Sequence, residues 1–317
     1  MFQKKMNQRI EEITKKLELR QIVVAKFLYL ISRPSKYSSK ELIRKLGLPQ
    51  THLYRLIHEF TDIIEKNSKY IFVKKSMVNE IREMSNKIKF DEKTYDLKRI
   101  REVLKKYQKF RPKPNRDLDQ FNATIKTTVK RVMKLLNNGD LNDKKVAFLG
   151  DDDLVSVAAA LTHKCNKITV FEIDKRLNEF INKISKENDL EIEIIEQDLS
   201  QPIDKKWLDE YDVVFTDPPY TKEGINLFLN QAIKLIKKNF LGRIYLCYGN
   251  SDRAREREVE IQKLILDHNL IIKTKLPQFN KYFGAESIGS QSSLYILDWT
   301  PSTKTIESNF KKVYTND

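Results

Sequence analysis

The hydrophobic positions of this chain change their period near its middle. In the first third they recur in short helical bursts. Residues 20 to 32 read as a helix that Arg33-Pro34-Ser35 ends, and Ser38-Ser39 is placed to cap a second over Lys40 to Leu46. After Gly47 a third helix opens at Pro49-Gln50-Thr51, with Leu53, Leu56, Ile57 and Phe60 on one side. Ile63-Ile64 and Tyr70 to Val73, separated by polar Glu65 to Lys69, predict a hairpin. Residues 84 to 113 are rich in Lys and Glu with helical stretches, and the prolines of Arg111-Pro112-Lys113-Pro114 mark a turn or linker. From Lys145 onward short apolar runs alternate with helical patterns. Strands at 145–149, 168–173, 191–196, 211–216 and 243–248 interleave with helices at 154–162, 177–187, 223–237 and 255–267, and two strands near Ile271 and over 293–299 close the series. This alternation predicts an α/β domain with a parallel sheet, helices on both faces and ligands outside the carboxyl ends of the strands.

The expected organisation is therefore a basic module resembling a winged helix-turn-helix over 1–85, a helical linker over 86–110 and a Rossmann-like nucleoside-binding domain over 111–317. Charge sharpens the division. Residues 1 to 140 hold 34 Lys and Arg against 16 Asp and Glu, whereas residues 141 to 317 hold 25 against 28, so the whole net charge of +15 comes from the first part. Such charge points to an anionic partner such as nucleic acid, or equally to a second copy of the chain in a homodimer. Gln50, His52, Tyr54 and Arg55 take the outward positions on the second helix of the turn, where a DNA reader places its contacts. The longest apolar stretches, such as Phe27 to Ile31, fall far short of the roughly 20 residues that cross a bilayer. The N-terminus Met1-Phe2-Gln3-Lys4-Lys5 lacks the pattern of a secretory signal, so a cytoplasmic location is expected. Cys165 and Cys247 lack metal spacing and read as free thiols, and the four histidines show no ligand spacing, so no metal is expected.

The chemistry collects at the strand ends. The first strand ends in Gly150-Asp151-Asp152-Asp153, the second in Glu172-Ile173-Asp174, the third in Gln197-Asp198 and the fourth in Asp217-Pro218-Pro219-Tyr220. A carboxylate about 20 residues beyond the first turn is the expected ligand of a ribose hydroxyl, which selects Glu172. Asp198 is then placed to accept from an adenine amino group. Asp-Pro-Pro-Tyr resembles motif IV of the class I S-adenosylmethionine-dependent amino-methyltransferases. In that superfamily the Asp side chain and a Pro carbonyl hold a target amine beside the sulfonium while the aromatic residue stacks.

The first loop departs from that superfamily, with one glycine and three carboxylates where several glycines are usual. Taken with Arg111 to Arg116, Asp119-Gln120-Phe121-Asn122-Ala123-Thr124, Glu172 to Leu177 and Phe279-Asn280-Lys281-Tyr282, it resembles the branched-chain polyamine synthases. These are aminopropyltransferases that act on spermidine with decarboxylated S-adenosylmethionine, and they carry an N-terminal winged-helix module. The resemblance covers about 111 to 300. It implies a donor site at Gly150, Asp151, Asp152, Asp153, Glu172, Asp198 and Gln120. It also implies a catalytic group of Asp217, Pro218, Asp151 and Tyr220, with Asp217 orienting and deprotonating the attacking nitrogen. Tyr220 stands where the family is expected to have an acid and the methyltransferases have an aromatic residue. Methyl transfer from S-adenosylmethionine to DNA or RNA is accordingly the alternative.

Overall fold

The computed structural model describes residues 2–87, 97–249, 255–285, 289–307 and 313–315, and its contacts divide the chain into two units. The first comprises residues 1–95 with 137–139, the second 96–136 with 140–317.

Unit 1 contains α1 (Phe2–Leu17), α2 (Gln21–Ile31), α3 (Ser39–Leu46), α4 (Gln50–His58), the strands β1 (Ile64–Lys66) and β2 (Ile71–Val73), and α5 (Val78–Lys87). Local chemistry sets its turns. Ser38 and Glu41 form a reciprocal capping box at the start of α3, and Gly47 ends that helix at φ 66°, in the left-handed region that favours glycine. β1 and β2 pair antiparallel, Ile64 opposite Val73. The apolar stripes of the helices close over Phe27, Leu28, Leu53, Leu56 and Phe60, all fully buried.

Unit 2 begins earlier than the sequence pattern placed it. Of the expected linker 86–110, residues 88–96 lie outside the described residues, and α6 (Leu97–Gln108) groups with unit 2. It buries Leu97, Ile100, Leu104 and Tyr107, and the Tyr107 hydroxyl donates to Glu187 at 2.5 Å. There follow α7 (Ile125–Asn137), β3 (Lys145–Leu149), α8 (Val155–Ala160), β4 (Lys167–Glu172), α9 (Lys175–Glu187), β5 (Glu193–Glu196), β6 (Val213–Thr216), α10 (Lys222–Leu235), β7 (Arg243–Tyr248), α11 (Arg255–Asp267), β8 (Ile271–Lys281) and β9 (Gln291–Asp298). The sheet runs β5-β4-β3-β6-β7-β9-β8; its first five strands are parallel, and β9 lies antiparallel to both neighbours. The central strands are buried on both faces, which explains their unbroken apolar runs, such as Val146 to Leu149.

Starting at β3, the chain builds outward to β5 and then returns to β6 on the other side. The crevice at the carboxyl ends of β3 and β6 is therefore the topological switch point, where open α/β sheets bind ligands. Across it, β8 departs from regular pairing. Leu276 faces Leu294 and Asn280 faces Ser292, so β8 carries two extra residues between those pairs. The irregularity turns Asn280 and Tyr282 toward the crevice. Among the described residues no helix is long and apolar enough to cross a membrane.

Candidate active site

The loop after β3 separates its three carboxylates. Gly150 takes φ 66°, and the chain turns so that Asp151 faces back into α8. Its Oδ1 accepts from the Val155 amide at 2.7 Å, its Oδ2 from the Ser156 amide at 3.0 Å, and the Ser156 hydroxyl also donates to it. Burial pushes the Asp151 pKa up to about 7 against the pull of these hydrogen bonds. Both oxygens of Asp151, expected at the donor and acceptor, hold the first turn of a helix, and Asp151 is not among the residues that line the cavity bordered by Asp152 and Asp217. Asp153 is also committed: it accepts from Arg131 at 2.6 Å, from Arg111 at 3.0 Å and from the Ala123 amide at 2.6 Å, tying the 111–123 loop to β3. Asp152 alone lines a cavity, and among the described residues no hydrogen bond or ion pair engages it. Burial, with the charges of Asp153, Asp217 and Glu172, holds its pKa well above the usual carboxylate range, while Arg111 opposes the rise.

The opposite wall comes from β6. Asp217 Oδ2 accepts from Arg131 Nη2 at 2.6 Å and from the Tyr282 hydroxyl at 2.7 Å, and Oδ1 accepts from the Tyr220 hydroxyl at 2.9 Å. Burial raises the Asp217 pKa, with the Arg131 guanidinium opposing it. Arg131, on α7, is completely buried and shared, with Nε donating to Asn280 at 2.9 Å, Nη1 to Asp153 and Nη2 to Asp217. The Tyr220 and Tyr248 rings make a T-shaped contact with their centroids 5.5 Å apart. Asp152, Asp217, Pro218 and Tyr220 border a cavity of about 380 Å³ together with Phe121, Tyr282, Arg116, Asp119, Ala285 and Thr315. Thr315 donates from its amide and its hydroxyl to Asp119, at 2.8 and 2.9 Å.

The other predicted donor residues stand at neighbouring strand ends, outside this lining. Glu172 accepts from the amides of Asp151 at 3.0 Å and Asp174 at 2.8 Å, and burial raises its pKa. Asp198 is half-buried and accepts from the Ser200 amide at 2.8 Å. Gln120 is occupied at both ends, its Oε1 accepting from the Asn115 amide and its Nε2 donating to Asp174, so it acts as a brace between loops. Gly150 supplies the turn itself. Sequence reasoning missed Arg131. The available signal was an arginine on the apolar stripe of α7, with Thr127, Thr128 and Leu135 beside it at helical spacing.

An unpaired carboxylate and a tethered one line one cavity with aromatic rings at the switch point of this sheet, and together they define a ligand site on a doubly wound α/β fold. The comparisons narrow that class. The profile of the branched-chain polyamine synthase A C-terminal domain matches residues 97–316, and the chain belongs to the branched-chain polyamine synthase family. It is 34% identical over 188 residues to the N(4)-bis(aminopropyl)spermidine synthase of Methanocaldococcus jannaschii, covering 59% of this chain and 52% of that protein. To the synthase of the same name from Thermococcus kodakarensis it is 34% identical over 195 residues, covering 60% and 55%. The chain thus spans about half the length of the curated relatives it matches. In fold it resembles the branched-chain polyamine synthase of Thermus thermophilus, solved with N4-aminopropylspermidine and 5'-methylthioadenosine, with a TM-score of 0.61, 20% identity and 96% of each chain covered.

Proposed function

We propose that unit 2 transfers the aminopropyl group of decarboxylated S-adenosylmethionine to an amine of a polyamine such as spermidine, releasing methylthioadenosine. The observation that carries this reading is the unpaired Asp152 facing Asp217 across an aromatic-walled cavity. A polyamine alternates ammonium groups with methylene runs, and such a cavity offers each its complement: carboxylates and ring faces for the cations, apolar surface for the methylenes. Gly150, Glu172 and Asp198 stand at successive strand ends, where a nucleoside's ribose and adenine would lie. Both Glu172 oxygens keep lone pairs beyond the amides they already meet.

The acceptor ammonium, with an ordinary pKa of about 10, must lose a proton before it can attack. Asp217 is the base we assign, its basicity raised by burial and its orientation fixed by Arg131, Tyr220 and Tyr282. The freed nitrogen lone pair attacks the methylene next to the sulfonium, the C–S bond breaks, and its electron pair stays on sulfur. The charge on sulfur is neutralised in the same step. The Pro218 carbonyl, at the cavity edge, is a second acceptor for the amine hydrogens. Decarboxylated donor is favoured over S-adenosylmethionine because Asp152 would repel a carboxylate at that end. We place the reaction in the cytoplasm, in keeping with two free cysteines.

One feature favours the second reading, methyl transfer from S-adenosylmethionine to a nucleic-acid amine: Tyr220 follows the two prolines and lines the cavity, where an aromatic ring can stack on a base. Incubation with each donor, spermidine and nucleic acid, followed by mass spectrometry, separates the two. Methylthioadenosine with a polyamine one aminopropyl group heavier is expected. S-adenosylhomocysteine with a methylated base would overturn the assignment. For unit 1 we propose a winged helix-turn-helix built from α2 to α4 and the β1–β2 hairpin, the module through which nucleic acid or a second copy would be met.

A further inference from the structure

Unit 1 has a surface that the transfer reaction does not use. Residues 33 to 75 hold ten Lys and Arg against four Asp and Glu. The acids are mostly occupied: Glu41 closes the capping box with Ser38, Glu59 pairs with Lys16 at 2.7 Å, and Asp62 with Arg9 at 2.6 Å, both cations from α1. Among the described residues, none of the ten cations of this segment is in an ion pair. Several are instead extended over aromatic rings, Lys66 at 5.6 Å from Tyr54, Lys36 at 5.1 Å from Phe72 and Lys45 at 5.3 Å from Tyr37. Tyr37 bridges to Ile71 of β2, so these pairs surround the hairpin. α4 contains no acidic residue, buries Leu53 and Leu56, and exposes Gln50, Tyr54 and Arg55.

We infer that the face formed by the outer side of α4 and the β1–β2 hairpin binds the sugar-phosphate backbone and groove of duplex DNA. An α-helix with its side chains is about 10–12 Å across, and a B-form major groove about 12 Å wide admits one such as α4, whereas the deep, narrow major groove of duplex RNA does not. Lys66 and Arg55 then flank the groove as phosphate contacts, and Tyr54 and Gln50 face the base edges. The inference rests on the winged helix-turn-helix reading of unit 1 and is independent of the aminopropyl-transfer reading of unit 2.

The test is fluorescence anisotropy of a labelled DNA duplex with the full chain, in polyamine-free buffer. Neutralising about five phosphates gives a slope of about −4.5 in log affinity against log salt, more than a hundredfold weakening from about 50 to about 200 mM. Reversing two contacts, Arg55→Glu with Lys66→Glu, should weaken binding by at least about tenfold at low salt. Lys105→Glu, an exposed site on α6, should leave it nearly unchanged. Four results would overturn the inference: no binding at the lower salt, equal loss with Lys105→Glu, poly-glutamate or duplex RNA bound as tightly as DNA, or a homodimer in sedimentation that Arg55→Glu with Lys66→Glu dissociates.

Discussion

Asp152→Asn isolates the group on which the donor assignment depends. The substitution keeps the shape of the side chain and removes one charge from a position that no protein cation holds among the described residues. A charge pair at about 4 Å is worth roughly 4 kcal/mol at an effective dielectric of about 20, before desolvation. Two effects reduce it. The ligand ammonium loses water on entering, and Asp152, whose pKa burial and its acidic neighbours hold high, must give up its proton to pair. If a third of the attraction survives, about 1.4 kcal/mol remains, a tenfold change in affinity. S-adenosylmethionine brings a carboxylate to the same place, which ionised Asp152 would repel and protonated Asp152 would not attract as a charge. Wild-type protein should therefore bind the decarboxylated donor at least about tenfold more tightly, and Asp152→Asn should narrow the gap mainly by weakening that ligand. Calorimetry across pH adds a sign. Binding a cation favours the ionised carboxylate, so wild-type affinity should fall as pH drops through the raised pKa and protons should be released on binding, while the variant loses both effects. Donor affinities within about twofold of wild type, or a wild-type preference for S-adenosylmethionine, would refute the reasoning.

Three further substitutions probe the surrounding groups. Asp217→Asn should reduce turnover by about a hundredfold or more with donor affinity little changed, and wild-type-like turnover in a steady-state assay would remove Asp217 from proton transfer. Arg131→Met leaves Asp153 and Asp217 buried without their shared cation and should cost about 3–5 kcal/mol in urea unfolding. A loss of less than about 1 kcal/mol would mean that the network contributes little to stability. Asp151→Asn should cost about 1 kcal/mol through the weakened start of α8 while sparing turnover. Because burial raises Asp151 from 3.8 to about 7, its folded form keeps a proton that the unfolded chain releases, so this group's stabilisation is full below the lower value and is lost as pH rises through the upper. The variant should lack that slope, and thermal melts across the window would expose its persistence.

Much of the scaffold was legible because buried strands advertise themselves. The runs 145–149 and 243–248 are strands over those same residues, apolar after a leading Lys145 or Arg243 and bounded by polar turns. α7 was not expected, although Ile125, Val129, Val132 and Leu136 carry helical spacing, because Thr and Lys dilute the segment. The acids at the strand ends were found by position, but position does not fix direction. Three adjacent aspartates look alike in sequence; the positive φ of Gly150 and Leu154 is what sends Asp151 into a helix, Asp153 toward two arginines and Asp152 into the cavity. Tyr282 was noticed only as part of a resemblance. Its contact with Asp217 depends on the two extra residues in β8, which no local pattern encodes.

The sharing of Arg131 has a consequence for anyone who would redesign the acceptor pocket. One guanidinium compensates both Asp153, which anchors the loop ahead of α7, and Asp217, which faces the cavity. Randomising position 217 alone leaves Arg131 with a partner missing, and the strain is felt at the loop through Asp153. Libraries that vary 131, 153 and 217 together can trade one balanced set of charges for another, whereas a library that varies one of them to residues without a matching polar group leaves a buried charge uncompensated and confounds lost stability with lost catalysis.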